Sequence, residues 1–74
     1  MKCIIKLVWN EKEKFWYSKS LDERFGLTLE SSSLDILIER VKLAVPDMLE
    51  LSGYTGDIEL VFEIERIIKF EGVN

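Results

Sequence analysis

The sequence predicts one small α+β domain in which three strands are followed by a helix and a final strand. Alternating apolar residues mark the first and last segments as strands, and a broad apolar face at helical spacing lies between them. A three-strand meander followed by a right-handed crossover places the last strand beside the first. We therefore expect a single domain over residues 1–74, with a four-stranded sheet in the order 3-2-1-4 and the helix on one face.

The first two strands are predicted to form a hairpin. Alternation gives the first strand an apolar face of Cys3, Ile5, Leu7 and Trp9. Its other face carries Lys2, Ile4, Lys6 and Val8. The polar residues 10–13 end this pattern, and the aromatic segment 14–19 supplies the second strand. Because Phe15, Trp16 and Tyr17 are consecutive, both faces of that strand carry rings, and the sequence leaves their facing open.

A charged loop over residues 21–25 and a short third strand over residues 26–30 lead to the helix, with Leu27 and Leu29 pointing inward. Ser32 or Ser33 can cap the helix, and Asp35 complements the positive end of its dipole. The apolar positions that predict its buried face are Leu34, Leu37, Ile38, Val41, Ala44, Val45 and Met48. The sequence Ser-Gly-Tyr-Thr-Gly-Asp, residues 52–57, then ends the helix.

Pro46 lies inside this predicted helix, where a proline costs roughly 3 kcal/mol because it removes one backbone hydrogen bond and clashes with the preceding turn. At 100° per residue it falls opposite the apolar face. We expect a bent or broken helix with the Pro46 ring on its solvent side.

The last segment, residues 57–70, is predicted to be a strand of about thirteen residues, because Ile58, Leu60, Phe62 and Ile64 alternate with Glu59, Val61, Glu63 and Glu65. It is longer than any neighbour it could pair with, so its end should project beyond the sheet. The projecting residues are Arg66, Ile67, Ile68 and Phe70. Unpaired backbone with apolar side chains invites strand addition, and a core this small gains from a partner. We therefore expect a homodimer that makes contact through these residues.

Composition narrows the function. The chain has 74 residues, a net charge of −4, one cysteine and no histidine. No disulfide can form within the chain, no metal or other cofactor is expected, and general-base or nucleophilic catalysis lacks its usual residues. The apolar runs are too short to span a membrane, and no signal peptide is indicated. We expect a non-enzymatic cytoplasmic protein with little affinity for nucleic acid.

The element order, the Trp9-Asn10 strand end with its charged turn, and the helix SSSLDILIERVKLAVPDMLELSG resemble the HicB-like antitoxins. The segment Val45-Pro46-Asp47-Met48-Leu49 is similar to a HicB-related family of unknown function. The resemblance implies a truncated ribonuclease-H-like fold that neutralises HicA, a small basic ribonuclease toxin. The chain departs from the family where Phe25-Gly26 replaces a common Pro-Gly pair. No separate DNA-binding domain is expected.

The predicted partner-binding residues fall into two groups. Glu59, Glu63 and Glu65 form an acidic stripe suited to a basic protein. Ile36 and Leu43 form a candidate contact ridge on the otherwise charged helix face. The alternatives are a nucleic-acid platform built from Lys2, Lys6, Lys14 and Trp16 on the open sheet, and a stand-alone homo-oligomer. A ribonuclease-H-type metal site is not expected, because the first strand offers no acidic residue.

Overall fold

The computed structural model describes residues 1–21 and 26–72, which form the predicted β-β-β-α-β fold. The elements are β1 (Lys2–Asn10), β2 (Phe15–Ser20), β3 (Glu30–Ser31), α1 (Leu34–Leu51) and β4 (Glu59–Glu65). The sheet order β3-β2-β1-β4 confirms the predicted topology, with β4 parallel to β1 and the other pairs antiparallel. The predicted loop over residues 22–25 lies outside the described residues.

A tight turn over residues 11–14 joins β1 to β2. Asn10 accepts hydrogen bonds at both oxygens: its carbonyl from the Lys14 N–H at 2.8 Å and its side chain from the Glu13 N–H at 3.0 Å. Lys14 adopts a left-handed conformation with φ of 60°. This turn fixes a register in which Trp9 lies opposite Trp16, and it therefore decides which aromatic side chains of β2 face the helix.

The third strand is shorter and later than predicted: it comprises Glu30–Ser31 rather than residues 26–30. Next to it, the buried Ser18 hydroxyl accepts the Leu29 N–H at 2.9 Å, and the Ser18 N–H donates to the Leu29 carbonyl at 2.8 Å. A side-chain oxygen thus takes the place of a backbone acceptor, and regular pairing begins only after Leu29. The inward facing of Leu27 and Leu29 is confirmed.

Helix α1 starts at the predicted cap, where the Ser33 hydroxyl accepts the Ile36 N–H at 3.3 Å. The helix runs without a break through Pro46, whose ring is exposed as predicted. At that position the Lys42 carbonyl loses its helical donor on the solvent side, where water can replace it. The buried helix residues are Leu37, Val41, Val45 and Leu49.

The core lies between the helix and one face of the sheet. Its sheet side is the predicted apolar face of β1, joined by Trp16 from β2 and by Leu60 and Phe62 from β4. Successive side chains of β1 and β4 point to opposite faces of the sheet. The described part of the chain has one helix, which covers one face, so the opposite face has no helix over it. We call this opposite face the open face.

Candidate functional site

Apolar side chains form two groups on the open face. The strand registers place five half-buried apolar side chains there: Ile4, Val8, Phe15, Tyr17 and Val61. Val8 lies opposite Tyr17 and Ile4 opposite Val61, so these side chains come from three strands. The Phe15 and Tyr17 ring centroids are 6.2 Å apart. Lys6 of β1, with Lys19 and Glu63 beside it, separates the Ile4–Val61 pair from the group of Val8, Phe15 and Tyr17. Apolar groups on a sheet face are typical of a protein-contact surface.

Charged residues border these groups at both edges of the sheet. The predicted stripe is present on the edge strand β4, where Glu59 and Glu63 are exposed. Glu65 differs, because Lys6 of β1 reaches it across the sheet at 3.2 Å and partly neutralises it. At the other edge Glu30 of β3 pairs with Tyr17 and shares its face. The open face therefore combines two apolar groups and a central charged row with exposed carboxylates at its margins.

Trp16 is not part of this face, so the predicted nucleic-acid platform is wrong in that residue. It is only 8% exposed and lies on the helix side, where its ring centroid is 5.2 Å from that of Trp9. The register imposed by the β1–β2 turn turns Trp16 inward and sends Phe15 and Tyr17 outward. Lys14, another predicted platform residue, is paired with Glu11 in the turn.

A cluster of charged and aromatic residues lies beside the β1–β2 turn, on the helix side of the sheet. Arg66 stacks over the Trp9 ring at 4.8 Å, and the indole N–H of Trp9 donates to Glu11. The hydrogen bond from Lys14, with that from Trp9, lowers the pKa of the Glu11 carboxyl. The cluster ties the start of the C-terminal segment to the hairpin turn.

The two predicted groups of partner-binding residues lie on different surfaces. Leu43, 73% exposed, lines a shallow groove on the flank of the helix with Leu29, Arg40 and Asp47. Ile36 is exposed two turns earlier on the same helical flank. That flank borders β3, whereas Glu59 and Glu63 lie on the opposite edge of the sheet and on its other face. One compact partner surface cannot include both groups.

The predicted length of the last strand is wrong, but the predicted exposure of its end is confirmed. Strand β4 ends at Glu65, opposite Val8 of β1. The C-terminal tail, defined here as residues 66–72, has no strand beside it in the described part of the chain. The exposed fractions of Ile67, Ile68 and Phe70 are 58%, 50% and 80%.

The tail projects from the body of the molecule. The long axis of the molecule is 55 Å, whereas a nine-residue strand spans only about 30 Å. On the open-face side, Ile67 and Lys69 form a groove with Glu11 and Lys12 of the hairpin turn. The tail therefore continues past the turn with an apolar surface that nothing in the described chain covers.

The structure also bears on metal and membrane chemistry. In residues 1–21 and 26–72, no group of three or more His, Cys, Asp or Glu side chains is close enough to hold a metal ion. None of the described helices is long and apolar enough to cross a membrane.

Sequence reasoning missed the apolar groups of the open face. The facing of Phe15 and Tyr17 depends on hairpin register, and the turn carries no Asn-Gly or Asp-Gly signal that would have predicted that register. In the structure Ser18 and Trp16 are both buried on the inward face, so Tyr17 between them faces outward. The sequence carries no signal that shows which face of this strand is buried.

Comparison with known proteins places the chain in a family. Residues 2–69 match the domain of unknown function DUF1902. The chain belongs to this family. A similar solved structure is that of a hypothetical protein from the extremely thermophilic bacterium Thermus thermophilus. The two sequences are 26% identical, and the structures superpose with a TM-score of 0.75. The match covers 95% of this chain and 100% of the Thermus thermophilus chain. No curated protein matches this DUF1902 chain.

Proposed function

We propose that this DUF1902 protein is a non-enzymatic, cytoplasmic protein-binding module of the HicB antitoxin type. It would bind and neutralise a small basic ribonuclease of the HicA type through its open face. The observation that carries the proposal is the presence of two half-buried apolar groups on this face, Val8 with Phe15 and Tyr17 and Ile4 with Val61, beside exposed carboxylates. Apolar side chains inside a charged rim are the usual anatomy of a protein interface.

The acidic rim supports a basic partner. Glu59 and Glu63 are exposed at one edge and Glu30 at the other, and the chain carries a net charge of −4. Such a rim attracts a basic protein during encounter and raises the association rate more than the final affinity. The same charges repel the phosphates of nucleic acid.

A nucleic-acid module is the second candidate, and one observation favours it. Phe15 and Tyr17 present rings on the open face, with Lys2, Lys6 and Lys19 on the same face. Bases stack on such rings in single-strand-binding proteins. Lys6, however, is already paired with Glu65, and carboxylates line both margins. We therefore favour the protein partner.

A pair of matched variants tests the docking surface. The affinity of a purified HicA-type ribonuclease is measured by calorimetry for the wild type, Tyr17→Asp and Leu43→Asp. A central interface tyrosine contributes about 2 kcal/mol or more, so Tyr17→Asp should weaken binding at least about 30-fold. Leu43→Asp, on the helix flank, should leave the affinity unchanged. Thermal unfolding of both variants checks that they are folded.

Three other outcomes would contradict this proposal. No binding by the wild type would refute the HicA-type partner. Loss of binding in Leu43→Asp alone would move the interface to the helix flank. Tight, salt-sensitive binding of a single-stranded oligonucleotide that Tyr17→Asp abolishes would favour the nucleic-acid module instead.

Charge reversal tests the acidic rim separately. Glu59→Lys with Glu63→Lys should slow association with the same ribonuclease by about tenfold at low salt, and the difference should fade as salt rises. Glu65 is left intact because it pairs with Lys6. The control, Asp47→Lys with Glu50→Lys on exposed helix positions, changes the net charge equally. An equal loss of rate in both double variants would show that only net charge matters.

A further inference from the structure

We propose that a second copy of this chain pairs with the C-terminal tail as an antiparallel strand, in one defined register centred on Ile67. The proposal does not depend on the function of the open face. It rests on three features of the structure: an open backbone edge on β4, an exposed apolar tail, and opposite charges that face each other when the tail pairs with itself.

The backbone edge is available in the right place. The Glu59 N–H donates to the Met1 carbonyl at 2.8 Å, so the odd-numbered residues of β4 direct their backbone groups toward β1. The even-numbered residues, Leu60, Phe62 and Ile64, direct theirs away from it. Strand β4 is the end strand of the sheet in the described chain, so this edge has no neighbouring strand there.

Symmetry limits the possible registers. A twofold axis that joins two copies edge to edge keeps the helices on the same side of the combined sheet. Residues of equal parity then lie opposite each other, and the axis passes through a single residue position of the tail. Only a few central positions need to be compared.

Centring on Ile67 is the register that places opposite charges and apolar side chains opposite each other nearest the axis. Glu65 then faces Lys69 of the second copy, Ile64 faces Phe70, and Ile67 faces Ile67. The twofold axis repeats the Glu65–Lys69 and Ile64–Phe70 pairs, so each of them occurs twice in the dimer. Ile64 and Phe70 are 56% and 80% exposed in the single chain, so this pairing covers two of its most exposed apolar side chains.

Neighbouring registers are worse. Centring on Arg66 places two arginines directly opposite each other, and centring on Glu65 does the same with two glutamates. Centring on Ile68 places Glu65 opposite Glu71. The register centred on Ile67 has one kind of like-charge pair, Glu63 with Glu71, which occurs twice and lies at the two ends of the ribbon, where strands separate most easily.

A cysteine scan reads the register directly. In this register, Ile67→Cys brings two thiols together in a pair without backbone hydrogen bonds. The Cα atoms are then about 4.5 Å apart, within disulfide range. With Arg66→Cys or Ile68→Cys, the two cysteines would be diagonal neighbours, two residues apart along the ribbon. Their Cα atoms would be about 7–8 Å apart, which is too far for a disulfide. The native Cys3 is buried in the core.

Under mild oxidation only Ile67→Cys should form a covalent dimer, and the wild type should form none. Rapid cross-linking at Arg66→Cys or Ile68→Cys, equal cross-linking at all three positions, or none at Ile67→Cys would overturn the proposal.

Sedimentation tests the unmodified protein. A ribbon of two short strands is a small interface, so we expect a reversible dimer that forms as the concentration rises toward about 1 mM. Lys69→Glu places a carboxylate opposite Glu65 and should weaken the dimer about threefold to tenfold. Lys12→Glu makes the same charge change in the same groove and should leave the dimer unchanged. A wild type that stays monomeric at that concentration would overturn the proposal.

Discussion

Removing the Ser18 hydroxyl should destabilise the fold more than any other change of a single oxygen atom in the sheet. Ser18 is 1% exposed, and its hydroxyl accepts the Leu29 N–H at 2.9 Å. In Ser18→Ala that N–H would face a methyl group and lose its acceptor in a part-buried site. An unsatisfied buried donor costs about 1–3 kcal/mol. For a domain of this size, a loss of about 2 kcal/mol lowers the melting temperature by about 8–16 °C.

Urea unfolding gives this free energy, and hydrogen exchange gives its location, since the Leu29 amide should exchange faster in the variant. Thr28→Ala is the matched control, because it removes an exposed hydroxyl from the residue just before Leu29. All proteins are compared at one concentration, since self-association would add to the apparent stability. A loss below about 0.5 kcal/mol in Ser18→Ala, or an equal loss in Thr28→Ala, would refute the reasoning.

Three further predictions follow from the structure. Pro46→Ala should leave the unfolding free energy unchanged or raise it by up to about 3 kcal/mol, because the ring is on the solvent side of an unbroken helix; a clear loss in urea unfolding would contradict this. Leu37→Ala should cost about 2–5 kcal/mol and Leu43→Ala less than about 0.5, since only the first side chain is buried; equal losses would contradict the observed helix orientation. Lys14→Ala should raise the pKa of Glu11 in an NMR titration, because the Lys14 hydrogen bond is the main cause that lowers it; an unchanged titration would contradict the pairing. Since that pKa is lowered in the folded state, the pair stabilises the fold above the ordinary carboxylate pKa, and its contribution disappears as the pH falls through the folded-state value.

The topology could be predicted from the sequence because it depends on patterns that are local. Period-two alternation identified β1 and β4, helical spacing identified α1, and the handedness of the crossover fixed their order in the sheet. The solvent position of Pro46 followed from the angle per residue alone. These features need no knowledge of which residues meet across the fold.

The wrong predictions concern strand bounds, which depend on contacts with a neighbouring strand. The last segment was predicted as one strand to Phe70, but its pairing with β1 ends at Val8 opposite Glu65, two residues before β1 itself ends at Asn10. The third strand was placed too early because the Ser18 side chain replaces a backbone acceptor beside Leu29.

The candidate site shows the same limit. The acidic stripe was predicted from alternation, but the pairing of Glu65 with Lys6 depends on strand register. The facing of Tyr17 and Trp16 depends on the register of the hairpin. Register is set by contacts between strands, and a one-residue shift exchanges the two faces.

The central claim, that the open face binds a protein partner, is tested most directly by methyl NMR during titration with a purified HicA-type ribonuclease. Ile4, Val8 and Val61 report on the open face, Leu43 on the helix flank, and Val41 on the core. We predict that the open-face methyl signals shift or broaden first, while those of Leu43 and Val41 change little. Shifts confined to Leu43 and its neighbours, or none at saturating ribonuclease, would contradict the claim.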